Sequence, residues 1–147
     1  MERQQQPVPD ARPPRLFVID DEPSIRAAIK RFLTRRKWEV EEAEDGRSAL
    51  EILLRSKPNE YDVVMCDLRM PHLSGGELYR ELLGKRPDLV RRLLFSTGDV
   101  VSSDASTFLA ESGRPVIEKP FELARLEEVL TQIVRENGGP AAPAGAP

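Results

Sequence analysis

Five short apolar runs recur along the chain, and four of them end in a charged or hydroxyl-bearing residue. Residues 16–19 (Leu-Phe-Val-Ile) run into Asp20-Asp21, and residues 61–66 into Asp67. Residues 91–95 lead to Ser96-Thr97-Gly98, and residues 115–118 to Lys119-Pro120. A fifth, more polar run spans residues 38–43. Short runs bounded by turn formers predict strands. The intervening segments carry a helical period instead. Ile25, Ala28, Ile29, Phe32 and Leu33 fall at i, i+3, i+4, i+7 and i+8, one continuous apolar face. Pro23 suits the first turn of that helix, and Asp21 with Glu22 lies at its positive end. Leu50, Leu53 and Leu54 give the next helix a face that Pro58 closes. Ser74 and Glu77 have capping-box spacing ahead of Leu78, Leu82 and Leu83. Leu123, Leu126, Leu130 and Ile133 mark the last helix. The fourth helix, residues 102–112, is the weakest, because its Ser, Thr and Asp side chains compete for backbone hydrogen bonds. Only Ala105, Phe108 and Leu109 there suit a core.

Strand and helix alternate five times, which predicts an α/β fold with a doubly wound parallel sheet. Right-handed crossovers leave a few topologies, among them the flavodoxin-like order 2-1-3-4-5. In such sheets chemistry collects at the carboxyl ends of the strands. Asp20, Asp21, Asp67, Thr97 and Lys119 all fall at those ends. Three carboxylates brought together cannot all stay ionised unaided, since each like charge disfavours the next. A hard divalent cation resolves the conflict, and magnesium suits one or two carboxylates, water and a phosphoryl group. The pattern points to magnesium-assisted phosphoryl chemistry.

Composition narrows the alternatives. The 147 residues allow one domain, and 39% apolar residues can supply its core. A net charge of −3 gives no electrostatic reason to expect a nucleic-acid partner. A single cysteine excludes an internal disulfide framework and fits a reducing cytoplasm. No apolar stretch approaches the ~20 residues that cross a bilayer, and residues 1–6 lack the apolar core of a secretory signal. Proline-rich residues 1–14 and the Pro/Ala/Gly-rich residues 138–147 bury too little to offset ordering, so both are expected to be disordered tails. The folded domain is expected over residues 15–137.

The residues Val18-Ile19-Asp20-Asp21-Glu22, Asp67-Leu68-Arg69-Met70-Pro71 with Gly75, Ser96-Thr97-Gly98 and Lys119-Pro120-Phe121 together resemble the receiver domain of two-component response regulators. The resemblance covers the whole core, with four motifs in order. It implies the flavodoxin-like order 2-1-3-4-5. It also implies that Asp67 accepts a phosphoryl group from a histidine kinase or phosphotransfer protein. Asp21 and Asp67 would bind Mg2+ directly, Asp20 largely through water and Arg69 through its backbone carbonyl. Lys119 would pair with Asp67 and then with the phosphoryl group, to which Thr97 would also hydrogen-bond. A cis Lys119-Pro120 bond is implied as well. The chain would be a signalling phosphoacceptor rather than an enzyme with its own substrate. It would signal through a downstream protein partner on the fourth helix, last strand and last helix. No output module is expected after residue 137, and the chain is expected to be either a stand-alone receiver or the receiver of a larger kinase.

One position departs from the family. An aromatic residue often stands three positions before the lysine, and here that residue is Val116. Switching is therefore expected to concentrate in residues 99–112. Arg69 and Asp99, two residues beyond Asp67 and Thr97, are expected to pair across the site mouth. His72, beside Pro71, reads as a loop residue, and Cys66 as a small buried hydrophobe. Lys30, Arg31, Arg35, Arg36 and Lys37 sit late in the first helix, where the dipole favours cations. Two other functions stay open. A magnesium-dependent phosphohydrolase usually carries a second acid two residues after its nucleophile, where this chain has Arg69. A phosphorylation-independent interaction module would fit better had one of the acids or the lysine been missing.

Overall fold

The computed structural model describes residues 12–98 and 103–139. The elements run β1 (Arg15–Ile19), α1 (Pro23–Arg35), β2 (Glu39–Ala43), α2 (Gly46–Arg55), β3 (Val63–Asp67), α3 (Gly75–Lys85), α4 (Pro87–Val90), β4 (Leu93–Thr97), α5 (Ser103–Ser112), β5 (Val116–Glu118) and α6 (Leu123–Glu136). All neighbouring strands pair in parallel, in the order β2-β1-β3-β4-β5. This is the flavodoxin-like order expected from the sequence. The chain steps outward from β1 to β2 and returns to the other side of β1 with β3. Between β1 and β3 lies the topological switch point, where open sheets of this kind bind ligands.

Successive residues of the central strands enter two separate cores. Phe17, Ile19, Val64, Cys66 and Phe95 pack under Ala49 and Leu53 of α2 and Leu78 and Leu82 of α3. Leu16, Val18, Val63, Met65 and Leu94 pack under Ile29 and Leu33 of α1 and Leu126, Leu130 and Ile133 of α6. Burial on both faces is why these strands read as unbroken apolar runs rather than alternating ones. The edge strand β2 turns Glu39, Glu41 and Glu42 outward, while Trp38, just before it, is buried.

Local signals act as the sequence suggests, with exceptions. Ser74 Oγ accepts the Glu77 N–H at 3.2 Å and Glu77 Oε1 accepts the Ser74 N–H at 2.9 Å, a complete capping box on α3. Leu54 and Leu83, expected in the core faces of α2 and α3, are exposed. Each is adjacent to a buried leucine, so it sits about 100° around the helix from the buried stripe. The short helix α4 was not foreseen. Pro87 starts it, Arg86 holds Asp88 at 2.9 Å, and Leu89 is buried beneath it. In α5 no residue is fully buried; Ala105, Phe108 and Leu109 lean partly buried on the first core, as expected. The Phe108 ring meets Tyr79 and Phe95 edge-on, with centroids 5.4 and 5.2 Å away.

Ahead of β1, Arg12 Nη1 donates to buried Asp62 at 2.9 Å, and Asp62 also accepts the Arg15 N–H at 2.8 Å. The Lys119-Pro120 peptide is cis. Residues 1–11 and 140–147, which hold most of the two expected tails, and Asp99 with its expected pairing to Arg69 lie outside the described residues.

Candidate functional site

Four of the five strands, all but the edge strand β2, each deliver one part of the site. β1 ends in Ile19, so Asp20 and Asp21 open the turn into α1; Asp20 is buried and Asp21 exposed. Asp67 closes β3 and is only 7% exposed. Thr97 closes β4 and is buried. Its carbonyl accepts the Lys119 N–H at 2.8 Å, which ties the residue after β5 to the end of β4. The loop after β3 turns back so tightly that a side chain at Gly75 would meet the Asp67 carbonyl oxygen at 2.8 Å. Only glycine fits that approach.

The parts converge. One carboxylate oxygen from each of Asp20, Asp21 and Asp67 lies within 4.8 Å of the other two. Lys119 Nζ donates to Asp67 Oδ2 at 2.9 Å and lies 3.0 Å from Asp20 Oδ2 and 3.3 Å from Glu22 Oε1. Asp67 Oδ1 accepts the Arg69 backbone N–H at 3.2 Å, and Asp20 Oδ1 accepts the Glu22 N–H at 2.9 Å. The Arg69 side chain is exposed. Sequence reasoning thus assigned a site role to every member of the convergence except two. Glu22 belongs to the first motif and to the positive end of α1 but carries no site role in the sequence reading, and Arg26, which donates to the Asp20 carbonyl at 2.6 Å, is not singled out there. The spacing of Glu22 and Arg26, one turn apart at the start of α1, was the available signal.

The electrostatics are those of an unfinished charge balance. Burial pushes the Asp67 carboxyl above the ordinary carboxylate range, although Lys119 and the Arg69 N–H both favour its ionised form. Burial works against the Lys119 ammonium, but its bonds to Asp67 and Asp20 outweigh that and raise it. Three carboxylates against one ammonium leave a charge of −2, which a divalent cation neutralises. The donor set is all oxygen, and its carboxylates are close enough to share one ion, so it fits a small hard divalent cation. Cys66 is inert here, because burial holds its thiol protonated. His72 lies in the loop before α3 with φ of 73°.

The response regulator receiver domain family matches residues 16–131. The chain belongs to this family. It is 32% identical over 130 residues to the response regulator MprA of Mycolicibacterium vanbaalenii, covering 86% of this chain and 54% of that protein. It is 30% identical over 121 residues to the sensor kinase CckA of Brucella abortus, covering 82% of this chain and 12% of that one. Its fold is similar to that of the receiver domain of sensor histidine kinase PA1611 from Pseudomonas aeruginosa, solved with a magnesium ion coordinated in its active-site cleft. That likeness has a TM-score of 0.73 and 23% identity, over 84% of this chain and 98% of that one. The chain spans about half the length of the first curated relatives it matches. Receiver domains are signalling phosphoacceptors rather than classical enzymes. Among the described residues no helix is long and apolar enough to cross a membrane.

Proposed function

We propose that this chain is the phosphoacceptor module of a two-component or phosphorelay system, with residues 15–137 as the receiver unit. On this reading Asp67 receives the phosphoryl group, in the cytoplasm, from a histidine kinase or a histidine phosphotransfer protein. The observation that carries this reading is the Lys119 ammonium held 2.9 Å from a buried Asp67 inside a ring of acids. Magnesium would be held by Asp21 and Asp67, by Asp20 through water and by the Arg69 backbone carbonyl. When bound, the ion supplies positive charge where the transferring phosphoryl oxygens gather.

The chain's own residues then do the following. A carboxylate oxygen of Asp67 attacks phosphorus in line with the leaving imidazole nitrogen. An O–P bond forms as the N–P bond breaks, and the imidazole takes its proton from solvent. The demand in such a transfer is to position the groups and stabilise the equatorial oxygens. Lys119 meets it by moving its hydrogen bond from the Asp67 carboxylate to a phosphoryl oxygen. The Thr97 hydroxyl, at the end of β4, binds another. The product is an acyl phosphate on Asp67, and its charge replaces the one that Lys119 previously neutralised.

Output through α5, β5 and α6 is supported by three features. Val116 leaves an exposed valine on β5 where a large ring is absent. A groove of about 610 Å³ runs between β5 and α6, lined by Val116, Val129 and Ile133 among others. The α5 helix is held by few apolar anchors, one of which, Phe108, touches Phe95 two residues before Thr97. The phosphohydrolase reading is disfavoured by Arg69, which puts a cation where such an enzyme needs a second acid. Incubation with acetyl phosphate and Mg2+, followed by intact-mass measurement, tests the proposal. One added phosphoryl group that is absent in chelator is expected. No addition, or equal addition in chelator, contradicts it.

A further inference from the structure

Arg26 lies one turn into α1, and its side chain folds back toward the end of β1 instead of outward. Nη1 donates to the Asp20 carbonyl at 2.6 Å, and Nε donates to Glu42 Oε1 at 2.9 Å. The side chain is only 14% exposed. Glu42 stands near the end of β2, opposite Val18 of β1, and its other oxygen lies 3.5 Å from Lys30 Nζ. The guanidinium therefore ties three elements at one point, the peptide that joins Asp20 to Asp21.

That peptide matters because the two acids are held differently. The Asp20 carboxylate is buried and fixed from two sides, by the Glu22 N–H and by Lys119. Asp21 is exposed, so the backbone that carries it is what can hold its carboxylate near Asp67. Rotation of the Asp20-Asp21 peptide would swing that carboxylate away from Asp67. A planar donor fork anchored on Glu42 opposes the rotation, and a lysine cannot reproduce both arms of it.

We infer that Arg26 is a positioning residue for the metal-holding acids, with Glu42 as its anchor. The inference rests on the reading of Asp20, Asp21 and Asp67 as the magnesium site. Charge and positioning make opposite predictions here. A guanidinium near a cation site repels the ion, so a residue acting through charge alone would weaken binding, and its removal would tighten it. A residue acting by position does the reverse. Losing a partner that orients metal ligands typically costs about 10–100-fold in affinity.

Calorimetric titration of the full chain with Mg2+ alone tests this, at a temperature where circular dichroism shows each variant folded. Arg26→Gln is expected to bind Mg2+ at least about tenfold more weakly than the unsubstituted chain. Arg26→Lys keeps the charge and one possible bond to the Asp20 carbonyl, so it should recover part of the loss. Glu42→Gln alters a partly exposed side chain, so folding is not at issue, and it should weaken binding severalfold. Arg26→Gln binding as tightly as the unsubstituted chain, or more tightly, overturns the inference. If Arg26→Gln does not fold, undiminished affinity in Glu42→Gln overturns it instead. A chain that binds no Mg2+ before any substitution overturns the metal reading itself, and the inference with it.

Discussion

Replacing Asp67 by asparagine should make the metal-free domain more stable, although it removes a residue that pairs with Lys119. Asp67 faces Asp20 and Asp21 across at most 4.8 Å and Lys119 across 2.9 Å. At an effective dielectric of about 20, the repulsion from buried Asp20 is roughly 3.5 kcal/mol or more and the Lys119 attraction about 5.7 kcal/mol, while exposed Asp21 is screened by water and adds about 1 kcal/mol. The charges alone leave about 1 kcal/mol in favour of the carboxylate, and its burial, the largest cause of the raised titration, outweighs that. Asparagine keeps the shape and an oxygen for the Arg69 N–H. A gain of about 1–2 kcal/mol follows, which for a domain of this size raises Tm by roughly 4–8 °C. The pH dependence has a definite sign. The folded Asp67 carboxyl titrates above its unfolded value, so its contribution to stability is full below the unfolded value of about 4 and lost as pH rises through the folded one. The asparagine advantage is thus absent below about pH 4, grows between the unfolded and the folded values and is level above the folded one. Magnesium should reverse the order, because ion at a hundredfold excess over Kd stabilises the binding-competent wild type by about 2.7 kcal/mol. Thermal melts in chelator and in Mg2+, at several pH values, measure all of this. A variant less stable than wild type in chelator at pH 7 would refute the reasoning, since Lys119 pairing would then outweigh repulsion and burial.

Four further outcomes are expected. Ser74→Ala should cost about 1 kcal/mol by urea unfolding, because it breaks the capping box on α3; an unchanged midpoint counts against the cap. Asp62→Ala should cost about 3–5 kcal/mol in the same assay, since it strips a buried acceptor from Arg12, Arg92 and the Arg15 N–H. Phe108→Ala should speed hydrogen exchange across residues 103–112 while leaving β1 and β3 protected, because half-buried Phe108 is the main anchor of α5. Beryllofluoride should change protection in the same segment of the wild type, and Thr97→Ala should abolish that change; a response confined elsewhere counts against α5 as the switching element.

The sheet was legible because β1, β3 and β4 are buried on both faces, so their apolar runs stand out and their charged or hydroxyl-bearing ends mark one edge. Asp20, Asp21, Asp67, Thr97 and Lys119 were legible as a group for the same reason: parallel strands place all their carboxyl ends together. The misses have equally local causes. Helix α4 is four residues with one buried anchor, Leu89, too short to show a period. Leu54 and Leu83 are apolar but flank the buried stripe, and a helical face a few residues wide does not say which of two adjacent leucines points inward. Glu22 and Arg26 act through side chains that reach back across a turn, to Lys119 in one case and to the Asp20 carbonyl in the other. Linear spacing shows that such residues are near the site and not what they touch.

The account stands most directly on Asp67 as the one phosphoacceptor. The measurement is peptide-level mapping of the phosphoryl group after acetyl phosphate and Mg2+, for the wild type and for Asp67→Asn side by side. The account predicts a single modified peptide, containing Asp67, in the wild type and no modification in the variant. A phosphoryl group carried by any other residue of the wild type, or labelling that survives in Asp67→Asn to the same extent, would contradict it.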